Sequence, residues 1–209
     1  MSKIVARYDY TTLKGEPRLQ KVRFDPKRFM WLSWDGKRSC WVRGIADNRI
    51  EWSLRALYRL PELVLALKAN EPIWWPEGCK DADALVSIGL TATSTGGGAD
   101  QCEPGQAAWF ARYGSTSRIY VVCDNDLPGA YSGHLRYMML LQSGVDPERI
   151  RVVAPKWDSR RLKDAHDAVA ACGTRRVRWR RVALPSLKAT AIRYRTTSIA
   201  AYTGLKEAS

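Results

Sequence analysis

The sequence predicts an α/β fold with a mostly parallel sheet flanked by helices, preceded by a small basic α+β subdomain, and three observations lead there. From residue 72 onward, short apolar runs alternate with helix-like segments. The clearest run, Ile119-Tyr120-Val121-Val122-Cys123, is apolar throughout rather than at every second position, as expected of a strand covered by helices on both faces. Charge is also divided along the chain. Residues 1–70 hold fifteen Lys and Arg against seven Asp and Glu, residues 71–173 ten against thirteen, and residues 174–209 nine against one. These limits give a basic N-terminal subdomain (1–70), an α/β domain (71–173) and a basic C-terminal tail (174–209).

In the first segment, Tyr8-Asp9-Tyr10, Lys21-Val22-Arg23-Phe24 and Trp41-Val42-Arg43-Gly44 alternate apolar and polar residues as short strands do, with Asp35-Gly36 as a hairpin turn. Trp31, Trp34, Trp41 and Trp52 are read as core residues, although exposed ones would suit stacking on unpaired bases. The α/β pattern then begins. Pro72-Ile73-Trp74-Trp75 is a strand, and Asp81 to Ile88 a helix that stops at Gly89. Leu90 to Thr93 is a second strand, running into Gly96-Gly97-Gly98, which reads either as a flexible connector or as a phosphate cradle. A helix follows from Pro104 to Tyr113, with proline in its permissive first turn. After the strand Ile119 to Cys123, a helix runs from Pro128 to Gln142, and Ile150 to Ala154 is the fourth strand. Alternation of this kind implies right-handed crossovers between parallel strands.

Composition limits the possibilities further. With 209 residues and 45% apolar content the chain can bury one good core. It contains no signal-like or 18-residue apolar segment, so a soluble cytoplasmic protein is expected. Cys40, Cys79, Cys102, Cys123 and Cys172 are odd in number, widely spaced and never in C-x-x-C, so neither a disulfide framework nor a zinc site is predicted. A net charge of +13, concentrated at the two flanks, suits phosphate backbone.

The acidic centre suits something else. Glu77, the Asp124-Asn125-Asp126 triplet and Asp164 each follow a predicted strand, where a carboxylate is fixed by the sheet yet faces solvent. Several converging there can hold a hard cation such as Mg²⁺ or Mn²⁺. Glu77-Gly78 with Asp81, Asp124-Asn125-Asp126 with Gly129, and Lys163-Asp164 with Asp167 are similar to the E-G-x-x-D, D-x-D-x-x-G and K-D-x-x-D motifs of the Toprim domain. That domain is the catalytic module shared by bacterial and phage primases, type IA and type II topoisomerases and certain nucleases.

The resemblance implies roles. Glu77, Asp124 and Asp126 would be catalytic, and the same three with Asp164 would hold metal. Glu77 would act in general acid or base work or as a further metal contact. Asp81 is either a member of this group or a cap for the helix it begins. Gly78 and Gly129 would permit tight strand-to-helix turns. Lys80 and Lys163 would contact phosphate or simply balance charge. His134 is read as a surface or packing residue, and His166, lacking a second histidine, is set aside as a ligand.

Arg55-Ala56-Leu57-Tyr58-Arg59-Leu60 resembles the R-x-L-Y-x-L segment that leads into the Toprim domain of bacterial-type primases. This implies a DNA primase core, with Lys21, Arg23, Arg43, Arg55 and Arg59 on nucleotide or DNA phosphates. Expected partners are a single-stranded DNA template and nucleoside triphosphates, with a replicative helicase or a zinc-binding initiation module in trans, since no Cys or His cluster and no P-loop occurs here. The setting would be a bacterial cell or a phage-infected host. A Toprim nuclease and a non-catalytic single-stranded DNA-binding replication factor are the alternatives. The tail, with Arg175-Arg176-Val177-Arg178-Trp179-Arg180-Arg181, reads as a nucleic-acid arm or a solvated end, with Ile192 to Tyr202 able to add an edge strand or a short helix.

Overall fold

The computed structural model describes residues 2–96, 102–156, 162–172 and 177–182. It holds two sheets. The first is antiparallel, in the order β1 (Lys3–Thr11), β2 (Pro17–Asp25), β3 (Arg28–Asp35), β4 (Cys40–Arg43). Its strands alternate because only one face is covered: Tyr8 and Tyr10 are buried while Arg7 before them and Asp9 between them are exposed. The β3–β4 connection is longer than a two-residue turn. Asp35 Oδ1 accepts from the N–H groups of Lys37 and Arg38 at 3.0 and 3.3 Å and organises it. Helices α1 (Asp47–Ser53) and α2 (Leu60–Ala69) lead to the second sheet.

That sheet has the order β6-β5-β7-β8-β9, formed by β5 (Ile73–Trp75), β6 (Thr91–Ala92), β7 (Ile119–Val122), β8 (Ile150–Pro155) and β9 (Trp179–Arg181). The pairings of β5 with β6, β5 with β7 and β7 with β8 are parallel, and only β9 runs antiparallel, on β8. Between the strands lie α3 (Cys79–Ser87), α4 (Pro104–Ala107), α5 (Leu127–Gln142) and α6 (Ala165–Cys172). Ile73, Trp75, Ile119, Val121, Val152 and Ala154 face one apolar cluster with Leu63 and Leu67 of α2 and Leu140 of α5. The alternate residues Trp74, Val122 and Val153 face the other, with Ala82 and Leu85 of α3 and Ala165 of α6. Cover on both sides is why β5 and β7 are continuously apolar or aromatic and why β8 departs from that only at Arg151. Tyr8, Tyr10 and Leu19 of the first sheet join that second cluster, so the two sheets share a core.

Two sequence expectations change. The helix expected from Pro104 to Tyr113 is α4 plus a 3₁₀ stretch, Ala108–Gly114, in which Arg112 and Tyr113 leave helical geometry. Its start was marked by Pro104 and by a capping box between Glu103 and Gln106, but its end is set by tertiary contact: Phe110 is fully buried and the Trp109 indole donates to the Arg55 carbonyl at 2.9 Å. The tail contributes β9, where an arm or a solvated end was expected, because Trp179 packs on the Trp74 ring at 4.9 Å. Of the glycine run, Gly96 is described; Gly97 and Gly98 lie outside the described residues, as do Ile192 to Tyr202.

Candidate active site

The carboxyl ends of β5, β7 and β8 open on one edge, and the acids lie just beyond them. Glu77 stands two residues past β5, Asp124 two residues past β7, and Asp164 precedes α6 in the connection that follows β8. Their crowding is recorded in Asp124. Burial first, then the charges of Asp81, Glu77, Asp164 and Asp126, push its pKa up to about 7. Asp126 is the N-cap of α5, its Oδ1 accepting the Gly129 N–H at 2.7 Å, with Lys163 Nζ 3.8 Å from Oδ2. Gly129 is required there: a Cβ would stand 2.6 Å from the Asp124 carbonyl oxygen and 2.7 Å from the Asp124 Cβ. The first turn of α5 therefore packs directly on the Asp124 backbone.

Asp81 and Asp164 have structural partners. Asp81 is buried in the first turn of α3, whose N-cap Gly78 is extended and makes no side-chain cap bond. Instead, Asp81 Oδ1 accepts the N–H of His166 at 3.0 Å, so it caps α6 and not α3, which begins two residues earlier at Cys79. Burial and then the Asp164 charge raise its pKa to about 6. Asp164 accepts the Asp167 N–H on Oδ1 at 2.8 Å and Lys80 Nζ on Oδ2 at 2.9 Å. Burial pushes Asp164 upward, yet those two bonds outweigh it and its pKa lies below the ordinary value. By contrast, the Glu77 carboxylate makes no hydrogen bond among the described residues; only its main-chain carbonyl is engaged, by Ser94.

The residues present fit a hard divalent cation. Four carboxylates are within electrostatic reach of Asp124, whose burial and like-charged neighbours hold its proton to near neutrality. Asp164, His166 and Asp167 also bring one ligand atom each within 4.8 Å of one another, so the histidine set aside from sequence stands with two acids. His134 is buried in α5 with neither ring nitrogen bonded among the described residues, and burial lowers its pKa, in keeping with a packing role. All five cysteines are free, and burial raises the Cys79 thiol to about 11.

The expected cations divide into two groups. Lys21 crosses from β2 to donate to the Gly96 carbonyl and lies over the Phe29 ring at 4.2 Å. Burial lowers its pKa, against an upward pull from the Cys79 and Glu77 charges, so it reaches the acidic edge. Lys80 and Lys163 reach it through Asp164 and Asp126. No contact joins the remaining candidates to those acids among the described residues. Arg23 lies near the Tyr8 hydroxyl and partly offsets the rise in its pKa on burial, Arg43 is exposed on β4, and Arg55 pairs with Glu51 at 2.6 Å. Arg59 holds Asp83 at 2.9 Å and Glu62 at 3.7 Å, beside the Tyr58 hydroxyl that donates to the same Asp83 oxygen.

No family model and no curated relative matches the chain. Solved structures do. Similarity extends to the zinc-binding and RNA polymerase domains of the Aquifex aeolicus primase, with a TM-score of 0.56 and 16% identity over 82% of this chain and 37% of that one. A DnaG primase catalytic domain bound to ssDNA matches with a TM-score of 0.57 and 18% identity over 79% of this chain and 48% of that one. The RNA polymerase domain of Mycobacterium tuberculosis primase DnaG matches with a TM-score of 0.53 and 16% identity, over 80% of this chain and 51% of that one. The chain has the fold of a primase catalytic core. It spans about half of those relatives' length or less, and at such identities the likeness is one of fold.

Within this primase-type core, sequence reasoning missed three residues. Asn125, the middle position of the D-x-D triplet, ties the loop together: its N–H donates to the Lys163 carbonyl at 2.7 Å, and Nδ2 donates to the Leu162 and Pro155 carbonyls at 2.7 and 3.0 Å. Arg180 of β9 donates to Asn125 Oδ1 at 2.6 Å. Arg136 of α5 is fully buried and donates to the carbonyls of Trp75, Val122 and Ser132. The only sequence signal was Arg136 itself, a charge on the otherwise apolar stretch Leu135 to Leu141 of its helix.

Proposed function

We propose that this chain is a primase-type nucleotidyltransferase with a Toprim catalytic domain over residues 71–173, making short RNA primers on single-stranded DNA. One observation carries the reading: in a primase-core fold, Glu77, Asp124 and Asp126 meet at the carboxyl edge of the parallel sheet, with Asp124 crowded enough to stay protonated to about pH 7. Asp124 and Asp126 would hold Mg²⁺ or Mn²⁺, and Asp124 gives up its proton to do so. When bound, the cation neutralises charge developing on the phosphoryl oxygens.

The chain's residues do the rest. The primer 3′-hydroxyl attacks the α-phosphorus of a nucleoside triphosphate, and pyrophosphate leaves. Glu77, whose carboxylate is unbonded, takes the hydroxyl proton. Asp164, pinned by Lys80 and the Asp167 N–H, and Asp81, which caps α6, tie the start of α6 to α3. The basic first sheet lies beside this edge through Lys21 and tracks the template. The activity belongs in the cytoplasm of a bacterial cell or a phage-infected host; no helix of the described residues is long and apolar enough to cross a membrane.

The test is incubation of the full chain with single-stranded DNA, labelled ribonucleotides and Mg²⁺ or Mn²⁺. Short labelled oligomers are expected, lost in both Asp124→Ala and Asp126→Ala. Shortened DNA without synthesis would instead identify a nuclease, and intact DNA binding with neither product a non-catalytic factor.

A further inference from the structure

Among the described residues, Arg180 stands beside the D-x-D triplet and takes no part in the steps above. Arg180 comes from β9, which among the described residues is the one strand of the second sheet that runs antiparallel, and that strand is bonded along its length. Ala154 pairs with Arg180 and Pro155 with Trp179. Lys156 N–H donates to the Arg178 carbonyl at 2.7 Å, Val182 N–H donates to the Val152 carbonyl at 3.0 Å, and Trp179 packs on the Trp74 ring. The guanidinium is thus carried on a rigid element to the triplet, where it bonds the side chain that lies between Asp124 and Asp126.

Its partner there is neutral. Carboxylates crowd this edge, yet Arg180 forms no ion pair among the described residues, whereas Lys80 and Lys163 each pair with an acid. A guanidinium has five N–H donors, and Asn125 takes one. Arg180 is also exposed, so its other donors are open to solvent at the residue between Asp124 and Asp126. Planar, permanently charged and fork-shaped, such a group matches phosphate oxygens better than it matches an amide.

We propose that Arg180 is a substrate-binding residue of this site, contacting the β- and γ-phosphates of the incoming nucleoside triphosphate, with Asn125 holding the guanidinium in place beforehand. The proposal rests on the nucleotidyltransferase reading. It assigns the β9 arginine to the part of the substrate that leaves as pyrophosphate, so monophosphates and DNA should not depend on it. Preorganisation by Asn125 reduces the side-chain ordering that phosphate binding would otherwise require.

The experiment uses the full chain and measures binding of Mg²⁺·ATP, AMP and a labelled single-stranded oligonucleotide to wild type, Arg180→Ala and Arg180→Lys, alongside thermal denaturation of each. Arg180→Ala should weaken Mg²⁺·ATP by about tenfold, the loss of one charge-assisted contact. AMP and oligonucleotide binding should change by less than about twofold on the same basis, and Arg180→Lys should recover part of the ATP affinity. Unchanged ATP binding in Arg180→Ala, or equal losses for ATP, AMP and DNA, would overturn the proposal; the second result would mark Arg180 as a strap for the Asn125 loop. Wild type that binds no ATP would overturn it as well. The two readings fail separately: ATP binding that depends on Arg180 without oligomer synthesis removes the primase and keeps the phosphate contact, while synthesis with ATP affinity indifferent to Arg180 does the reverse.

Discussion

Crowding at Asp124 has a consequence with a definite sign. A free aspartate has a pKa of about 3.9, whereas in the fold Asp124 is pushed up to about 7 by burial and then by the acids around it. Between those values the folded chain keeps a proton that the unfolded chain has lost, so the Asp124 contribution to stability is fully present below about pH 4 and falls as pH rises toward 7. In a chelator, Asp124→Asn should therefore melt above wild type at pH 8, with the gap closing toward pH 4. Added Mg²⁺ should raise the wild-type melting temperature more at pH 8 than at pH 6, because at the lower pH it must displace a proton, and the Asn variant should respond less. Wild type melting at or above Asp124→Asn at pH 8 in chelator would contradict the crowding account. The candidate acids themselves were legible, because each follows an apolar run at motif spacing. The capping of α6 by Asp81 was not legible, since its partner His166 is 85 residues away.

The strands are held just before the acids by an element whose role is hidden in the sequence. Arg136, on α5, donates to the carbonyls of Trp75 and Val122, the last residues of β5 and β7, each two positions before Glu77 and Asp124. No carboxylate pairs with it among the described residues, so the strand-end carbonyls and Ser132 are what satisfy a buried guanidinium. Arg136→Met keeps much of the volume but leaves those acceptors buried and unpaired. The expected cost is about 2–5 kcal/mol in urea denaturation at unchanged m-value, and a cost under about 1 kcal/mol would mean that water or rearrangement satisfies the carbonyls. The central strands themselves could be read from the sequence because helices cover both faces and their positions are almost all apolar, Arg151 of β8 excepted. The end of α4 could not: Phe110 and Trp109 are drawn into contacts with distant residues, and helix propensity does not anticipate that.

Across the whole molecule, the division of charge was visible in the sequence, but the use of each charge depends on contacts between segments. Residues 1–70 carry an excess of eight positive charges, yet Arg59 is locked to Asp83, 24 residues along the chain, and Lys21 to Gly96 in the next segment. The arginine-containing stretch that pointed toward priming therefore contributes a structural tie at Arg59, where a free phosphate contact was expected. Arg43 differs, being exposed with no acidic partner among the described residues. Single-stranded DNA binding that depends on released counterions weakens linearly in log salt, by about 0.7 per phosphate neutralised. Arg43→Ala should then flatten that slope by about 0.7 with little change in melting temperature. Arg59→Ala should leave the slope alone and lower the melting temperature, because Asp83 loses its closest cationic partner while the Tyr58 hydroxyl still points at it. A flattened slope with unchanged melting in Arg59→Ala would mean that DNA draws Arg59 away from Asp83, and the first sheet would then offer the template a surface that the free protein keeps closed.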